Sequence, residues 1–256
     1  MKIHPTAIVN PQAQLASDVG VGAYSFIGPE VKIGTGTTIG MHCVVDNNTT
    51  IGKNCRVYTG AVVGSIPQDL KFKGEKSFLK IGDNNIIREY ATLNLGTGEG
   101  GLTQIGNNNL LMAYSHIAHD CIVGDDCIIA NCGTLAGHVT IEDKAVVGGL
   151  VAIHQFVKMG TLSIVGGCSK VVQDIPPFST CDGHPTKVFG VNLVGLKRAN
   201  LSEESIDGLK RAFKILFRLG LTISHAIERV QKEIPPSPEI NHLITFIQTS
   251  ERGIGR

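Results

Sequence analysis

An aliphatic residue stands at every sixth position of the stretch Ile105-Gly106-Asn107-Asn108-Asn109-Leu110-Leu111-Met112-Ala113-Tyr114-Ser115-His116-Ile117-Ala118-His119-Asp120-Cys121-Ile122-Val123. The same spacing begins at Ile3 and is still in phase at Val171, and of its 29 positions all but Asp69, Glu75 and Glu99 are Ile, Val, Leu or Met. A period of six fits neither an isolated helix nor a single alternating strand, but it is typical of a parallel β-helix whose short strands turn a corner every hexad. Because three hexads close one coil of such a prism, the sequence predicts roughly nine coils.

Two other positions of the hexad have a restricted composition. Glycine often follows the aliphatic residue, as at Gly22 and Gly40, which indicates a place where the chain bends tightly and a Cβ is awkward. The fifth position is mostly small or β-branched, as at Val19 and Thr37. We therefore expect the aliphatic and the fifth side chains to point inward and fill a narrow prism.

The seven cysteines include no CxxC pair. Cys43, Cys55, Cys121 and Cys127 all fall on the small fifth position of the hexad, which predicts inert core residues in a reducing compartment instead of disulfides or metal ligands.

Composition excludes several classes of function. A net charge of +1 and a pI near 7.6 give no indication of nucleic-acid binding. No apolar run follows Met1, so we expect neither a signal peptide nor a membrane span. We therefore expect a cytoplasmic protein.

Two insertions interrupt the repeat, near residues 64–80 and 94–104. Long loops on a repeat scaffold tend to cluster on the binding face, which makes the first insertion a candidate for ligand contact. The second is Gly-rich, and we expect it to be a solvated excursion.

The repeat ends at Val171, which divides the chain into a β-helix over 1–172 and a connector with a helical domain over 173–256. After an irregular stretch through Asn200, helices are predicted over about 203–219, 223–233 and 239–250. Arg211, Lys214 and Arg218 share one face of the first of these helices. Such a face is usually just solvated, but it also suits an acidic partner.

The hexad register brings three histidines together. His119, His138 and His154 occupy hexads three apart, so we expect them on one outward face, one coil above another at roughly 4.8 Å per coil. A zinc ion needs its ligand nitrogens within about 2 Å, whereas the outer two histidines would lie about 10 Å apart. A metal would have to recruit a neighbouring chain, so we predict no metal. A general base flanked by ligand-binding imidazoles needs no such convergence.

Five segments carry a more specific resemblance. They are the run from Leu110 to Cys121, Leu135-Ala136-Gly137-His138-Val139, Ile153-His154-Gln155-Phe156, Val165-Gly166-Gly167-Cys168-Ser169 and Phe189-Gly190-Val191-Asn192-Leu193-Val194-Gly195-Leu196-Lys197-Arg198. With them the chain resembles the hexapeptide-repeat acyltransferases, and among these the acyl-carrier-protein-dependent UDP-N-acetylglucosamine O-acyltransferases of lipid A biosynthesis. The resemblance implies a mainly β fold, a left-handed parallel β-helix with a C-terminal α-helical domain.

The resemblance also implies roles for individual residues. His119 matches the general base that takes the proton of the sugar 3-hydroxyl, Asp120 the carboxylate that orients it, and the Gly137 N–H the donor to the oxyanion. Positions that bind the sugar nucleotide or the donor are matched by His138, His154, Gln155, Asn192 and Arg198. Asp69 and Lys71 match a loop that reaches substrate, Gly167 the floor of the acyl pocket, and His116 a frequently present histidine for which a structural role is equally possible.

From the same resemblance we expect a 3-hydroxyacyl donor on the phosphopantetheine of acyl carrier protein, UDP-N-acetylglucosamine as acceptor, no permanently bound cofactor, and a homotrimer. The sequence does not determine the length of the acyl chain. It also does not determine whether the acceptor carries a hydroxyl or an amino group at position three. Three alternatives are a lipid A N-acyltransferase, a trimeric zinc carbonic anhydrase on the same prism, and a scaffold without catalysis.

Overall fold

The computed structural model describes residues 2–255, and in it 26 short strands wind into a three-sided prism. The first sheet contains β1 (Lys2–Ile3), β4 (Gly20–Val21), β7 (Thr38–Ile39), β10 (Arg56–Val57), β13 (Ile86–Ile87), β16 (Leu110–Leu111), β19 (Ile128–Ile129), β22 (Val146–Val147) and β25 (Ile164–Val165). The second contains β2 (Ile8–Val9), β5 (Phe26–Ile27), β8 (Val44–Val45), β11 (Val62–Ser65), β14 (Thr92–Asn94), β17 (His116–Ile117), β20 (Thr134–Leu135), β23 (Ala152–Ile153) and β26 (Lys170–Val171). The third contains β3 (Gln14–Leu15), β6 (Lys32–Ile33), β9 (Thr49–Ile51), β12 (Phe78–Ile81), β15 (Leu102–Ile105), β18 (Ile122–Val123), β21 (Thr140–Ile141) and β24 (Lys158–Met159).

The prism strands pair in parallel with the coil above and the coil below. Outside the insertions the register is 18 residues, as where Lys2 pairs with Gly20 and His116 with Thr134. This register stacks each aliphatic residue of the hexad on its equivalent in the next coil, as for Ile117 and Leu135, both fully buried. The predicted parallel β-helix is confirmed.

Small side chains fill the core beside the aliphatic residues. Cys43, Cys55, Cys121 and Cys127 are fully buried, and all seven cysteines are free thiols. Burial raises the pKa of the Cys121 and Cys127 thiols to about 12. These four residues are core residues, as their spacing predicted.

The glycine that follows the aliphatic residue has a different role from the one expected. The glycine at this second position of the hexad does not have a positive φ, except Gly64. A positive φ is found instead at the fourth position, which residues other than glycine, such as Tyr24 and His138, often occupy. A Cβ on Gly22 would instead overlap the Gly40 carbonyl of the next coil. Glycine is therefore needed for the close approach of successive coils, and the tight bend lies two residues later.

Both insertions leave the prism at the corner between the second and third sheets. The first leaves after β11 and returns at β12, and the second joins β14 to β15. The second is anchored to the end of the first, because the Phe78 N–H donates to the Gly101 carbonyl and the Gly96 N–H donates to the Phe78 carbonyl. Gly98, Glu99 and Gly100 at its tip are exposed, as expected of a solvated excursion, but its two ends are fixed.

The segment after Val171 is more regular than the sequence indicated. A hairpin of β27 (Ser179–Gly183) and β28 (Thr186–Val191) extends the first sheet, with β27 parallel to β25. Four helices follow: α1 (Leu193–Arg198), α2 (Glu203–Arg218), α3 (Ile223–Glu233) and α4 (Pro238–Gln248). The last three agree with the predicted helices within two residues at each end, whereas the hairpin and α1 replace the expected irregular stretch. No helix of residues 2–255 is long and apolar enough to cross a bilayer.

One ion pair ties the helical domain to the prism. His242 Nε2 on α4 lies 2.7 Å from Glu142 Oε2, which follows β21, and the same oxygen accepts the Thr161 N–H at 2.7 Å. The hydrogen bond to Glu142 raises the pKa of His242 above its ordinary value, against the effect of partial burial. The protonated imidazole therefore stabilises the docked position of α4.

Replacement of Gly22 by alanine should destabilise the prism by about 1–3 kcal/mol, because the added methyl group overlaps backbone of the next coil and the coils must separate. Gly20→Ala is the matched control in the same coil, since a Cβ there meets only the Thr38 methyl group at 3.6 Å. Urea denaturation followed by circular dichroism measures both variants. Equal stability of the two variants would contradict the stacking explanation.

Stability should also depend on pH through His242. Since its pKa is raised in the folded state, the stabilisation is fully present below the unfolded value near 6.5 and is lost as the pH rises through the folded value. The melting temperature of the wild type should exceed that of Glu142→Gln most at about pH 6, and the difference should shrink by about pH 8. Glu204→Gln, at an exposed position of α2, is the control. A difference that does not change with pH would exclude the mechanism.

Candidate active site

Three successive coils place functional side chains at the corner between the second and third sheets. The turn after β17 carries His119 and Asp120, the turn after β20 carries Gly137 and His138, and the turn after β23 carries Phe156. The parallel register of β17, β20 and β23 sets these turns directly above one another. The second insertion leaves the preceding coil at the same corner.

His119 and Asp120 form a hydrogen-bonded dyad. His119 Nδ1 lies 2.8 Å from Asp120 Oδ2, and only 14% and 13% of the two side chains are exposed. Asp120 has a φ of 58°, so the chain reverses between the two residues and the carboxylate lies beside its neighbour's ring. An ionised carboxylate accepts, so Nδ1 carries the proton and Nε2 keeps its lone pair. The imidazole thus presents a basic nitrogen.

Thr97 anchors the carboxylate from the second insertion. Its N–H donates to Asp120 Oδ1 at 2.9 Å and its hydroxyl donates to Oδ2, while the Asp120 N–H donates to Thr103 Oγ1 at 2.8 Å. Burial opposes ionisation of Asp120, but the hydrogen bonds from Thr97 and His119 outweigh it and hold its pKa below the usual value. Sequence reasoning missed Thr97. The position of the second insertion could have indicated Thr97, because the insertion leaves the prism at the corner that carries Asp120, one coil below it.

His138 lies between His119 and Phe156 in a ladder of rings. The His119 and His138 rings meet edge to face at 5.2 Å, and His138 stacks on Phe156 at 4.7 Å. His154 is exposed, and its Nδ1 lies 3.2 Å from the Gln155 carbonyl oxygen. The register places His154 one coil above His138, as expected, but the third ring of the ladder is Phe156 and not His154. Phe156 takes that place because, like His138, it occupies the left-handed fourth position of its hexad.

Gly137 packs directly against the general-base candidate. A Cβ on Gly137 would overlap the His119 ring, so only glycine lets the imidazole lie where it does. Gly137 is buried, and its N–H donates to no acceptor within residues 2–255. This N–H is therefore available to donate to a ligand oxygen.

His116 lies on β17 and not at the corner. Its Nδ1 is 2.7 Å from Thr92 Oγ1 on β14 of the coil below. Burial, with a smaller contribution from the charge of His119, lowers the pKa of His116. It is therefore a neutral imidazole that borders the dyad.

The other predicted site residues lie away from this cluster within one chain. Asp69 and Lys71 lie in the first insertion, where the Lys71 N–H donates to Asp69 Oδ1 at 2.9 Å. Gly167 is exposed at a different corner, between the first and second sheets, where an added Cβ would meet only the Gly149 backbone. None of these three has a hydrogen bond, ion pair or ring contact with the dyad or His138 within residues 2–255.

Asn192 and Arg198 flank α1. Asn192 caps the helix by accepting the Gly195 N–H at 3.0 Å, and its amide donates to the Leu162 carbonyl at 2.8 Å. Arg198 lies exposed in the last turn. Neither residue contacts the dyad within the described part of the chain.

His119, Asp120 and His138 also form a cluster with the composition of a metal site. One ligand atom from each lies within 4.8 Å of the other two. A metal ion would have to displace the hydrogen bond between His119 and Asp120 and compete with both donors of Thr97. The resident hydrogen bonds fit an acid–base dyad better than a metal centre.

Comparison with known proteins gives consistent results over the whole chain. A family described as "Udp N-acetylglucosamine O-acyltransferase; Domain 2" matches residues 174–255, and one described as "Bacterial transferase hexapeptide (six repeats)" matches residues 102–137. The acyl-[acyl-carrier-protein]–UDP-N-acetylglucosamine O-acyltransferase of Anaeromyxobacter dehalogenans is 50% identical over 257 residues, which cover 100% of both chains. The protein of the same name from Thermodesulfovibrio yellowstonii is 50% identical and covers 100% of this chain and 99% of its own.

Solved structures agree with these relatives. LpxA from Acinetobacter baumannii is 48% identical with a TM-score of 0.95, and 99% of each chain is covered. LpxA from Bacteroides fragilis, a UDP-N-acetylglucosamine acyltransferase, is 40% identical with a TM-score of 0.97 and the same coverage. The prism and the helical domain are thus those of the matched structures.

Proposed function

The chain belongs to the acyl-[acyl-carrier-protein]–UDP-N-acetylglucosamine O-acyltransferase family, and we propose that it moves a 3-hydroxyacyl chain to the 3-hydroxyl of the sugar nucleotide, the first step of lipid A biosynthesis. The enzyme is an acyltransferase with acyl carrier protein as donor and UDP-N-acetylglucosamine as acceptor. Membership in an O-acyltransferase family sets aside the N-acyltransferase, the carbonic anhydrase and the scaffold. The observation that supports the proposed mechanism best is the dyad, with Nδ1 of His119 bonded to Asp120 and Nε2 free.

In the proposed reaction His119 Nε2 takes the proton of the sugar hydroxyl as that oxygen attacks the thioester carbonyl carbon. Asp120 stabilises the imidazolium that forms, and the Gly137 N–H donates to the oxyanion of the tetrahedral intermediate. Collapse of the intermediate breaks the C–S bond, and the pantetheine thiolate leaves with the proton from the imidazolium. The acyl group arrives already activated as a thioester, so the proposed step uses no permanently bound cofactor and no metal.

The substrate-binding roles are proposed on the same basis. His116 and His138 border the dyad, His154 and Gln155 lie exposed on the coil above, and all four are available to bind the sugar nucleotide or the donor. Arg198 and Lys71 offer positive charge to a diphosphate, with Asp69 beside Lys71 in the first insertion. Asn192 retains one amide hydrogen and one lone pair beyond its two bonds, enough for a substrate contact.

A homotrimer is proposed because one chain does not bring these groups together. His119 and Gly167 occupy different corners of the prism, so the base of one chain meets the proposed acyl-pocket floor only across an interface between chains. A flat prism face gives one wall of a cleft. Each methylene left in water on such a face forfeits about 0.8 kcal/mol, which favours a second wall from a neighbour.

The exposed cations of α2 are proposed to receive the acidic carrier protein. Arg211, Lys214 and Arg218 are all exposed, and Arg218 also donates to the Phe189 carbonyl on β28. A fixed basic surface of this kind attracts an acidic partner and accelerates encounter without taking part in the chemistry.

The variant His119→Ala tests the base. Loss of one positioned acid–base group should lower kcat by about 10²- to 10⁴-fold, measured as acyl transfer from hydroxyacyl carrier protein to UDP-N-acetylglucosamine. His225→Ala, on an exposed position of α3, should keep wild-type activity. An His119→Ala enzyme with more than about a tenth of wild-type activity would exclude His119 as the base.

Mixed oligomers test whether the site is shared between chains. Gly167→Met should shorten the acyl chain that the enzyme prefers, because the side chain raises the proposed floor, and His119→Ala should lose most of its activity with every donor. When the two variants are co-assembled, sites that combine His119 of one chain with Gly167 of the other should recover transfer of the longer chain. Absence of recovery in verified mixed oligomers would contradict the shared site.

A further inference from the structure

The second insertion has a conformation that is held from several sides. Gly100 donates to the Lys76 carbonyl at 2.8 Å, Phe78 donates to the Gly101 carbonyl at 2.8 Å, and Gly101 donates to the Gly98 carbonyl at 3.1 Å. The Gly101 Cα also lies so close to the Thr97 carbonyl that a Cβ there would overlap it. Thr97 thus lies in a loop whose conformation is fixed by hydrogen bonds, although its tip is exposed.

Thr97 provides two of the three donors that hold the Asp120 carboxylate. Its N–H meets Oδ1 at 2.9 Å, its hydroxyl meets Oδ2, and His119 Nδ1 meets the same Oδ2 at 2.8 Å. His138 Nε2 is a competing partner, 3.6 Å from that oxygen. Two donors on opposite oxygens fix the plane of the carboxylate and hence the direction in which Oδ2 accepts from His119.

Asp126 shows what this hexad position does without such an anchor. It occupies the same fourth position, at the neighbouring corner, with a φ of 57° against 58° for Asp120. Asp126 is exposed, and its carboxylate makes no hydrogen bond within the described residues. The left-handed conformation by itself therefore leaves the carboxylate exposed, and Asp125, the residue before it, offers no donor in place of His119.

We infer that Thr97 is a positioning residue for the reaction: by clamping Asp120 it selects the arrangement in which His119 is protonated on Nδ1 and basic on Nε2. The inference rests on the proposed role of His119 as general base. It gives the second insertion a function in the chemistry that is separate from substrate contact.

The test is Thr97→Val, which keeps the backbone donor and the shape of the side chain but removes the hydroxyl. We expect kcat to fall about tenfold with the KM for UDP-N-acetylglucosamine nearly unchanged, because a hydrogen bond to a charged group is lost while the binding surface is kept. Thr97→Ser should restore kcat to within about twofold, since it returns the hydroxyl. Thr38→Val, on an exposed position of β7, is the matched control and should behave as wild type.

The pH profile separates positioning from loop stability. Without the Thr97 hydroxyl the direction of the Asp120 carboxylate is no longer fixed, which lowers kcat, while its negative charge is less neutralised and stabilises the His119 imidazolium more. The acid limb of kcat/KM should therefore move to higher pH in Thr97→Val and return in Thr97→Ser. The titratable groups that face His119 are Asp120, His138 and His116, and none of them is changed in these variants. A variant that is merely less stable loses active enzyme at every pH and leaves the limb in place.

A double-mutant cycle with Asp120→Ala completes the test. If Thr97 acts through Asp120, Thr97→Val should add less than about twofold to the loss caused by Asp120→Ala. Additive losses, or a Thr97→Val enzyme with wild-type kcat, would overturn the inference. If Thr97→Val melts at a lower temperature than the wild type, Thr97→Ala takes its place in the cycle. An active His119→Ala enzyme would instead refute the proposed function, so the two failures are distinguishable.

Discussion

The stacking distance between coils is the constraint on which the rest of the molecule depends. Parallel pairing at a register of 18 residues holds each backbone about 4.8 Å from the next, and this leaves no room for a side chain between coils. Glycine is therefore required where carbonyl groups of the next coil come closest, as at Gly22. Aliphatic residues stack inward at the same spacing, and the interior holds little but Ile, Val, Leu and small residues. The hexad is the sequence pattern that satisfies both requirements.

The same geometry explains why the chemistry lies at a corner. From Tyr24 onward the fourth position of most hexads takes a positive φ, usually with residues other than glycine, which turns its side chain out of the prism beside its neighbour in the next coil. Asp120, His138 and Phe156 are stacked in this way. The insertions leave at the same corner and add Thr97 to the stack. Rigidly stacked side chains with one loop hydrogen-bonded to them can hold catalytic groups in a preorganised arrangement.

Electrostatics within the cluster favour the charge distribution that an acid–base dyad needs. Burial by itself would make Asp120 harder to ionise, and three donors reverse that effect. His116 is held neutral by burial, so it adds no positive charge next to His119. The corner thus combines an ionised carboxylate, a neutral neighbour and an imidazole bonded through Nδ1, consistent with the O-acyltransferase family to which the chain belongs.

The sequence by itself determined the period, the inward residues and the grouping of His119 with His138, because each of these follows from local repetition. It also gave the bounds of α2, α3 and α4 to within two residues from their caps and apolar faces. It also placed Asp120 next to the base. Only the tertiary structure decided that Phe156 and not His154 completes the ring ladder, since that depends on the left-handed fourth position of the corner. It alone brought Thr97 to Asp120 across 23 residues of chain. These outcomes depend on the backbone conformation at the corner and on the path of a loop that does not repeat, and a six-residue period carries no record of either.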